Sequence, residues 1–154
     1  MKTIQSIHLT RDVTLVVLSN TPADIRFVSK VFDALSQAQV NVDMISQSPA
    51  VGDRAALTFT ISGEQLTPAL MVIARLRETD PAIQLSISSD NCKISVAGEE
   101  MRTRPGVAAD VFRAAAAVNA DLRLITTSET DISLLITQAD APGAMEAIER
   151  AFAD

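Results

Sequence analysis

The chain has 154 residues and is 47% apolar, enough to bury the core of one domain or two small ones. It is 21% charged with a formal net charge of -6, which argues against general binding to a nucleic-acid backbone. The single cysteine excludes an internal disulfide and a multi-cysteine zinc site, and five phenylalanines without tryptophan or tyrosine argue against a stacking platform for sugars or bases.

In chain order, Met1-Lys2-Thr3-Ile4-Gln5 lacks the apolar centre of a signal peptide. No apolar run approaches the ~20 residues of a membrane span. A cytoplasmic protein is expected. Ile4 to Leu9 reads as a short strand that Arg11-Asp12 interrupts. Val13 to Leu18 is a nearly continuous apolar run, as in a buried strand. After a loop at Asn20 to Asp24, Ile25, Val28, Phe32 and Leu35 step at helical spacing. Val40 to Ile45 reads as a second strand and Ser48 to Asp53 as a turn. Leu57, Phe59 and Ile61 alternate as a third strand. Leu66, Leu70, Ile73 and Leu76 mark a second helix, and Ile83, Leu85 and Ile87 a fourth strand. This is the βαββαβ order of a ferredoxin-like unit.

The pattern then restarts. Lys93 to Ala97 is a strand, and Met101 to Val107 leads through Pro105-Gly106 into a helix with Val107, Val111, Ala114, Ala115 and Val118 on one face. Proline suits a first helical turn, glycine lets a backbone come close to its neighbour, and the amides of such a turn suit a carboxylate or phosphate. Taken locally, the same pair also serves as a plain strand-to-helix turn. Val111-Phe112 repeats Val31-Phe32 at an offset of 80 residues, and Ala114, Leu124, Ile125 and Ser128 match Ala34, Met44, Ile45 and Ser48. Ile132, Leu134 and Ile136 alternate, and Met145, Ile148 and Phe152 form the last helix face. The second copy lacks a fourth strand and the first has one too many. The expected fold is therefore α+β, with two ferredoxin-like units in tandem. The first, 13–90, is inserted into the second, 1–10 with 91–154, which the N-terminal strand completes and whose edge it covers.

No catalytic set emerges. His8, the only histidine, reads as a partly buried structural residue. Cys92 has no histidine near it in sequence and reads as a small packed apolar group. Glu99-Glu100 reads as a solvated loop rather than a metal site. No metal or cofactor is expected.

At this point the residues resemble the regulatory ACT-domain pair of aspartokinases over about the whole chain. Met101-Arg102-Thr103-Arg104-Pro105-Gly106-Val107-Ala108-Ala109-Asp110-Val111-Phe112 resembles the run M-R-x-x-P-G-V-A-x-x-F. Leu124-Ile125-Thr126-Thr127-Ser128-Glu129 resembles I-x-T-S-E, and Asn41-Val42-Asp43-Met44-Ile45-Ser46-Gln47 resembles N-V-D-M-I-x-Q. The resemblance implies a non-catalytic module, a separate regulatory subunit or a free-standing ACT pair. Such a module binds a free amino acid, lysine or threonine by family default, at an interface between ACT units in feedback control of amino-acid biosynthesis. It implies a kinase-type catalytic subunit as one candidate partner; the open edges and uncovered face of each sheet point to a homodimer, and charge and hydropathy to no nucleic acid or membrane.

In that frame the ligand carboxylate would meet the loop-to-helix starts at Asp24, Ile25 and Arg26 or at Arg104, Pro105, Gly106 and Val107. Its ammonium would meet Asn41, Asp43, Gln47 or Glu129, with Val42 in the same segment and Thr127 and Ser128 adding hydroxyls. For Asn41 and Asp43 a local turn, and for Ser128-Glu129 a hairpin turn, remain alternatives. The chain departs from the family pattern in its first unit. The loop Thr21-Pro22-Ala23-Asp24-Ile25-Arg26 lacks glycine, and Ala55-Ala56-Leu57 stands where T-D-I is usual, a triplet found instead at Thr130-Asp131-Ile132. Sensing of another amino acid, or an interaction module that has lost its ligand, are the alternative functions.

Overall fold

The computed structural model describes residues 4–153. Residues 1–3 and 154 of the expected second unit lie outside the described residues. The chain divides into two compact units: Val13–Ser89, and the chain on either side of it, up to Asp12 and from Asp90 onward.

In the Val13–Ser89 unit the elements are the later part of β1 (Ser6–Pro22), α1 (Ile25–Gln37), β2 (Ile45–Gln47), β3 (Arg54–Ser62), a 3-10 turn at Gly63–Gln65, α2 (Leu66–Thr79) and the first part of β4 (Gln84–Ala97). The sheet order is β2-β3-β1-β4. Val13 pairs with Ser62 and Leu18 with Leu57, and the register slips between Leu18 and Thr21, where Asn20 has φ 58°. Alternation sends Leu57, Phe59 and Ile61 to one face, against Val31 and Leu35 of α1 and Val72, Ile73 and Leu76 of α2. Phe32 meets Phe59 edge to face at 5.7 Å. Burying each such side chain contributes roughly 1.5–3 kcal/mol.

Two expectations for this unit are corrected. Ile25 is 77% exposed rather than part of the core stripe, because it opens the helix and the buried face is set by Val31 and Leu35. The second strand begins only at Ile45. Ahead of it the buried Thr60 takes over: its hydroxyl accepts from Met44 N–H at 2.9 Å, and its carbonyl accepts from Asp43 N–H at 3.0 Å. Thr60 N–H in turn donates to Met44 O at 3.0 Å, so Asp43 and Met44 both bond to Thr60, and the hydroxyl takes the one N–H that a regular ladder would give to a carbonyl.

The other unit combines the first part of β1, the later part of β4, a 3-10 turn at Glu99–Arg102, α3 (Val107–Ala117), β5 (Leu122–Thr127), β6 (Asp131–Thr137) and α4 (Ala141–Ala151). Its order is β1-β4-β6-β5, so the N-terminal strand supplies the missing fourth strand. Gln5 N–H donates to Ala97 O at 2.8 Å. Ile94, Val96, Ile132, Leu134 and Ile136 pack on Val107, Val111 and Ala114 of α3 and Ala144 and Ile148 of α4. The fold is α+β with two ferredoxin-like units.

Arg11-Asp12 does not end the first strand, and the strands expected at Ile83–Ile87 and Lys93–Ala97 are one. Asp12 (φ 54°) and Asp90 (φ 60°) each take a single left-handed step inside a continuous strand. Aspartate tolerates that conformation better than most residues, so the strand is re-aimed rather than broken. The repeat extends to the helix ends. Gln39 (φ 63°) and Asn119 (φ 52°), 80 residues apart, close α1 and α3 with the same Schellman pattern. Val40 N–H bonds Leu35 O at 2.9 Å, and Ala120 N–H bonds Ala115 O at 3.2 Å.

Among the described residues no helix is long and apolar enough to cross a membrane.

Candidate functional site

The stretch that leads into α3 forms one wall of a cavity of about 660 Å3. Gly98 N–H bonds Thr130 O at 2.9 Å, and Arg104 N–H bonds Glu100 O at 2.8 Å, which folds Glu99–Arg102 into a tight turn. Pro105 lies ahead of the helix rather than in its first turn, since α3 begins at Val107 with Gly106 as its N-cap. Gly106 has φ 92°, a conformation that disfavours any side chain. A Cβ there would meet nothing within 4 Å, so the glycine serves backbone geometry and not close approach. No side chain caps α3. Its first-turn amides therefore keep their partial positive charge toward the cavity.

The second wall is the corner after β5. Ser128 N–H bonds Asp131 O at 2.8 Å, and Thr130 N–H donates to Ser128 Oγ at 3.3 Å. This tight hairpin turns Thr127, Ser128 and Glu129 toward the helix start, and all three line the cavity with Arg104, Pro105, Gly106 and Val107. Those are all seven residues expected in this unit. Met101, Arg102, Thr103, Ala108 and Ile132 line it too, beyond that expectation. Arg102 joins the two walls: it stands 3.4 Å from Glu129 and 3.6 Å from Glu99. Arg104 stands 3.8 Å from Glu100. The two Arg102 pairs are largely solvent-exposed, and exposed pairs of this kind are weak.

In the Val13–Ser89 unit the expected residues do not converge. Asp24 is the N-cap of α1, and its Oδ1 accepts from Arg26 N–H at 2.9 Å. Its other oxygen is 3.7 Å from the Arg26 guanidinium. A carboxylate of the chain itself thus occupies this helix start. Asn41, Val42 and Asp43 follow the opposite end of α1, about 20 Å away for a thirteen-residue helix. Asn41 N–H donates to Gln65 Oε1 at 3.0 Å, and Val42 packs against the core. Gln47 is exposed at the end of β2. Ser48 closes the hairpin that follows: its N–H bonds Ala56 O at 2.9 Å and its hydroxyl accepts from Ala56 N–H at 2.8 Å. Between them lies an outer turn with Val51 bridged to Arg54 and Gly52 at φ 66°. The matching serine, Ser128, reaches its strand after three residues instead of eight.

His8 is exposed, not partly buried; alternation turns Ile7 and Leu9 to the core and His8 outward. Cys92 is buried among apolar groups, and burial pushes its thiol above the usual range. Among the described residues no cluster of three or more His, Cys, Asp or Glu is placed to hold a metal ion.

A sequence profile of the ACT domain matches residues 22–75 and 94–152, and the chain belongs to that family. Its likeness narrows further, to the regulatory part of aspartokinases. The regulatory subunit of aspartate kinase from Thermus thermophilus, solved ligand-free, superposes with a TM-score of 0.89 at 28% identity, covering 98% of this chain and 99% of that one. Aspartate kinase from Synechocystis superposes with a TM-score of 0.92 at 31% identity, over 99% of this chain and 28% of that one. The aspartokinase of Mycobacterium tuberculosis is 35% identical over 142 residues, 91% of this chain and 33% of its own length. The chain thus spans about a third of the curated relatives it matches, and nearly all of the Thermus subunit.

Proposed function

We propose that this chain is a regulatory module that senses a free amino acid and transmits its presence to a kinase-type catalytic subunit. The observation that carries the reading is the uncapped start of α3, which faces the Thr127–Glu129 corner across one cavity. An amino acid offers one carboxylate and one ammonium. The carboxylate suits the amides at the start of α3 together with Arg104. The ammonium suits Glu129, with hydroxyls from Thr127 and Ser128 beside it. The module works as a homodimer, in which Asn41, Asp43 and Gln47 of a second copy complete the enclosure. The Asp24–Arg26 start is left out of this reading, because Asp24 already supplies an anion to those amides.

Lysine and threonine, the effectors the family resemblance implies, are the first to be tried. Binding that prefers one of two states of a complex shifts it by typically 1–3 kcal/mol, enough for feedback control. The test is a thermal-shift screen of the purified chain against the twenty amino acids, with lysine and threonine also together. A ligand that binds only the folded state raises the melting temperature by mass action. One amino acid is expected to do so, and Arg104→Ala and Ser128→Ala each weaken its binding by about tenfold, the loss of one good hydrogen bond to a charged group. A flat screen on the folded protein would overturn the sensor reading in favour of an interaction module without a ligand.

A further inference from the structure

Each unit carries a groove between its two helices, and the two grooves differ in charge. In the Val13–Ser89 unit a groove of about 400 Å3 lies between α1 and α2. Its floor is Ala34, Ala38, Val72 and Leu76, and its rim carries Lys30 and Arg75. No hydrogen bond or ion pair engages either cation among the described residues. Met71 is 58% exposed, one helical turn before Arg75, and extends the apolar surface past the rim. In the other unit the matching groove between α3 and α4, of about 640 Å3, has an alanine-rich floor, but its cations are already matched. Arg113 pairs with Asp110 at 2.7 Å, and Arg150 with Glu146 at 2.6 Å. At the offset of 80 residues, Lys30 and Asp33 correspond to Asp110 and Arg113, so the order of charge along the rim helix is reversed between the two units.

We propose that the α1–α2 groove docks an acidic amphipathic helix of a partner protein. The floor joins the half-buried Ala34 and Ala38 to the buried Val72 and Leu76, and two unpaired cations beside it, in a chain of net charge -6, suit carboxylates flanking an apolar face. The groove offers side chains of two packed helices and no free backbone edge, so a helix laid in the groove fits it and an added strand does not. Two apolar side chains at i and i+4 sit over Ala34, Ala38 and Val72, and flanking glutamates or aspartates reach Lys30 and Arg75. This surface is separate from the cavity at α3, and its failure leaves the amino-acid reading intact.

The probe is a synthetic helical peptide of about four turns, leucine on one face and glutamate on the other, with a lysine-for-glutamate twin. It is titrated into the isotope-labelled full chain and followed by NMR. The glutamate peptide is expected to shift amide signals of α1 and α2, to bind more weakly as salt rises, and to lose about tenfold in affinity on Lys30→Glu with Arg75→Glu. The lysine twin is expected not to bind. The milder pair Lys30→Gln with Arg75→Gln serves if charge reversal disturbs folding. Absence of binding, shifts confined to α3 and α4, or equal affinity for the doubly substituted chain would each overturn the proposal.

Discussion

Arg54 Nη1 stands 2.7 Å from Asp80 Oδ2 and also donates to the carbonyl of Asn20 at 3.1 Å. One guanidinium thereby ties the start of β3 to the end of α2 and to the left-handed step in β1. The hydrogen bond from Arg54 holds the Asp80 carboxyl below the usual carboxylate range, against the opposing effect of burial. A depressed folded value gives stability that is present above the unfolded value, near ~3.9, and lost as pH falls through the folded one. The urea midpoint of the native chain should therefore fall more steeply below about pH 4 than that of Asp80→Asn, which should already be lower at neutral pH. Parallel acid profiles for the two proteins would show that the pair does not stabilise the fold.

Gly106 and Gly143 make a matched pair for substitution. Neither has an atom within 4 Å of a built Cβ, but only Gly106 has a positive φ. Gly106→Ala should cost about 1–2 kcal/mol through backbone strain alone. Gly143→Ala, inside α4, should be neutral or gain about 0.5–1 kcal/mol from helix propensity. Equal effects on the melting temperature would remove backbone geometry as the reason for the Pro-Gly turn.

Gln65 spans the two ends of a short loop. Its amide donates to Gln39 O at 3.0 Å while its oxygen accepts from Asn41 N–H at 3.0 Å. Gln65→Ala should cost on the order of 1 kcal/mol and speed hydrogen exchange at the Asn41 amide, leaving core amides such as Phe59 protected. Unchanged exchange at Asn41 would mean that water or another group holds the loop.

Cys92 is 3% exposed, and burial raises its thiol, so thiolate is scarce at neutral pH. A disulfide reagent at mildly alkaline pH should label the native chain only as fast as it opens, and the denatured chain at once. Rapid labelling of native protein would place the thiol nearer to solvent than the fold does.

Much of the arrangement could be read from residue order. The 80-residue repeat predicted that Val31 and Val111 occupy equivalent buried positions, and both are fully buried. The alternation of Leu57, Phe59 and Ile61 marked a core face. Three features stayed hidden for physical reasons. Asp12 and Asp90 look like breaks because aspartate disfavours strands, yet one left-handed residue lets a strand continue. Gln39 and Asn119 end their helices in a conformation usually signalled by glycine. Thr60 replaces a ladder bond with its hydroxyl, which no pattern of hydrophobicity reports. At the cavity, the family motifs marked the segments Arg104–Val107 and Thr127–Glu129 but left open which helix start and which acceptors come together. Arg102, which links them, lies in the motif but gives no sign of its reach before the chain is folded. The capping of α1 by Asp24 was also hidden, since the same side chain reads equally as a ligand contact.

The unequal hairpins after Ser48 and Ser128 also set where this chain can grow. The first has slack: Val51 is 85% exposed, and open space surrounds Gly52. Extra residues or a bulky reporter placed there would leave the pairing of Ser48 with Ala56 undisturbed. The second has none, because Ser128 both closes the turn and lines the cavity. Lengthening it by a single residue would carry Glu129 away from Arg102. One copy of the repeat is thus a handle for engineering, and the other tolerates change only by substitution.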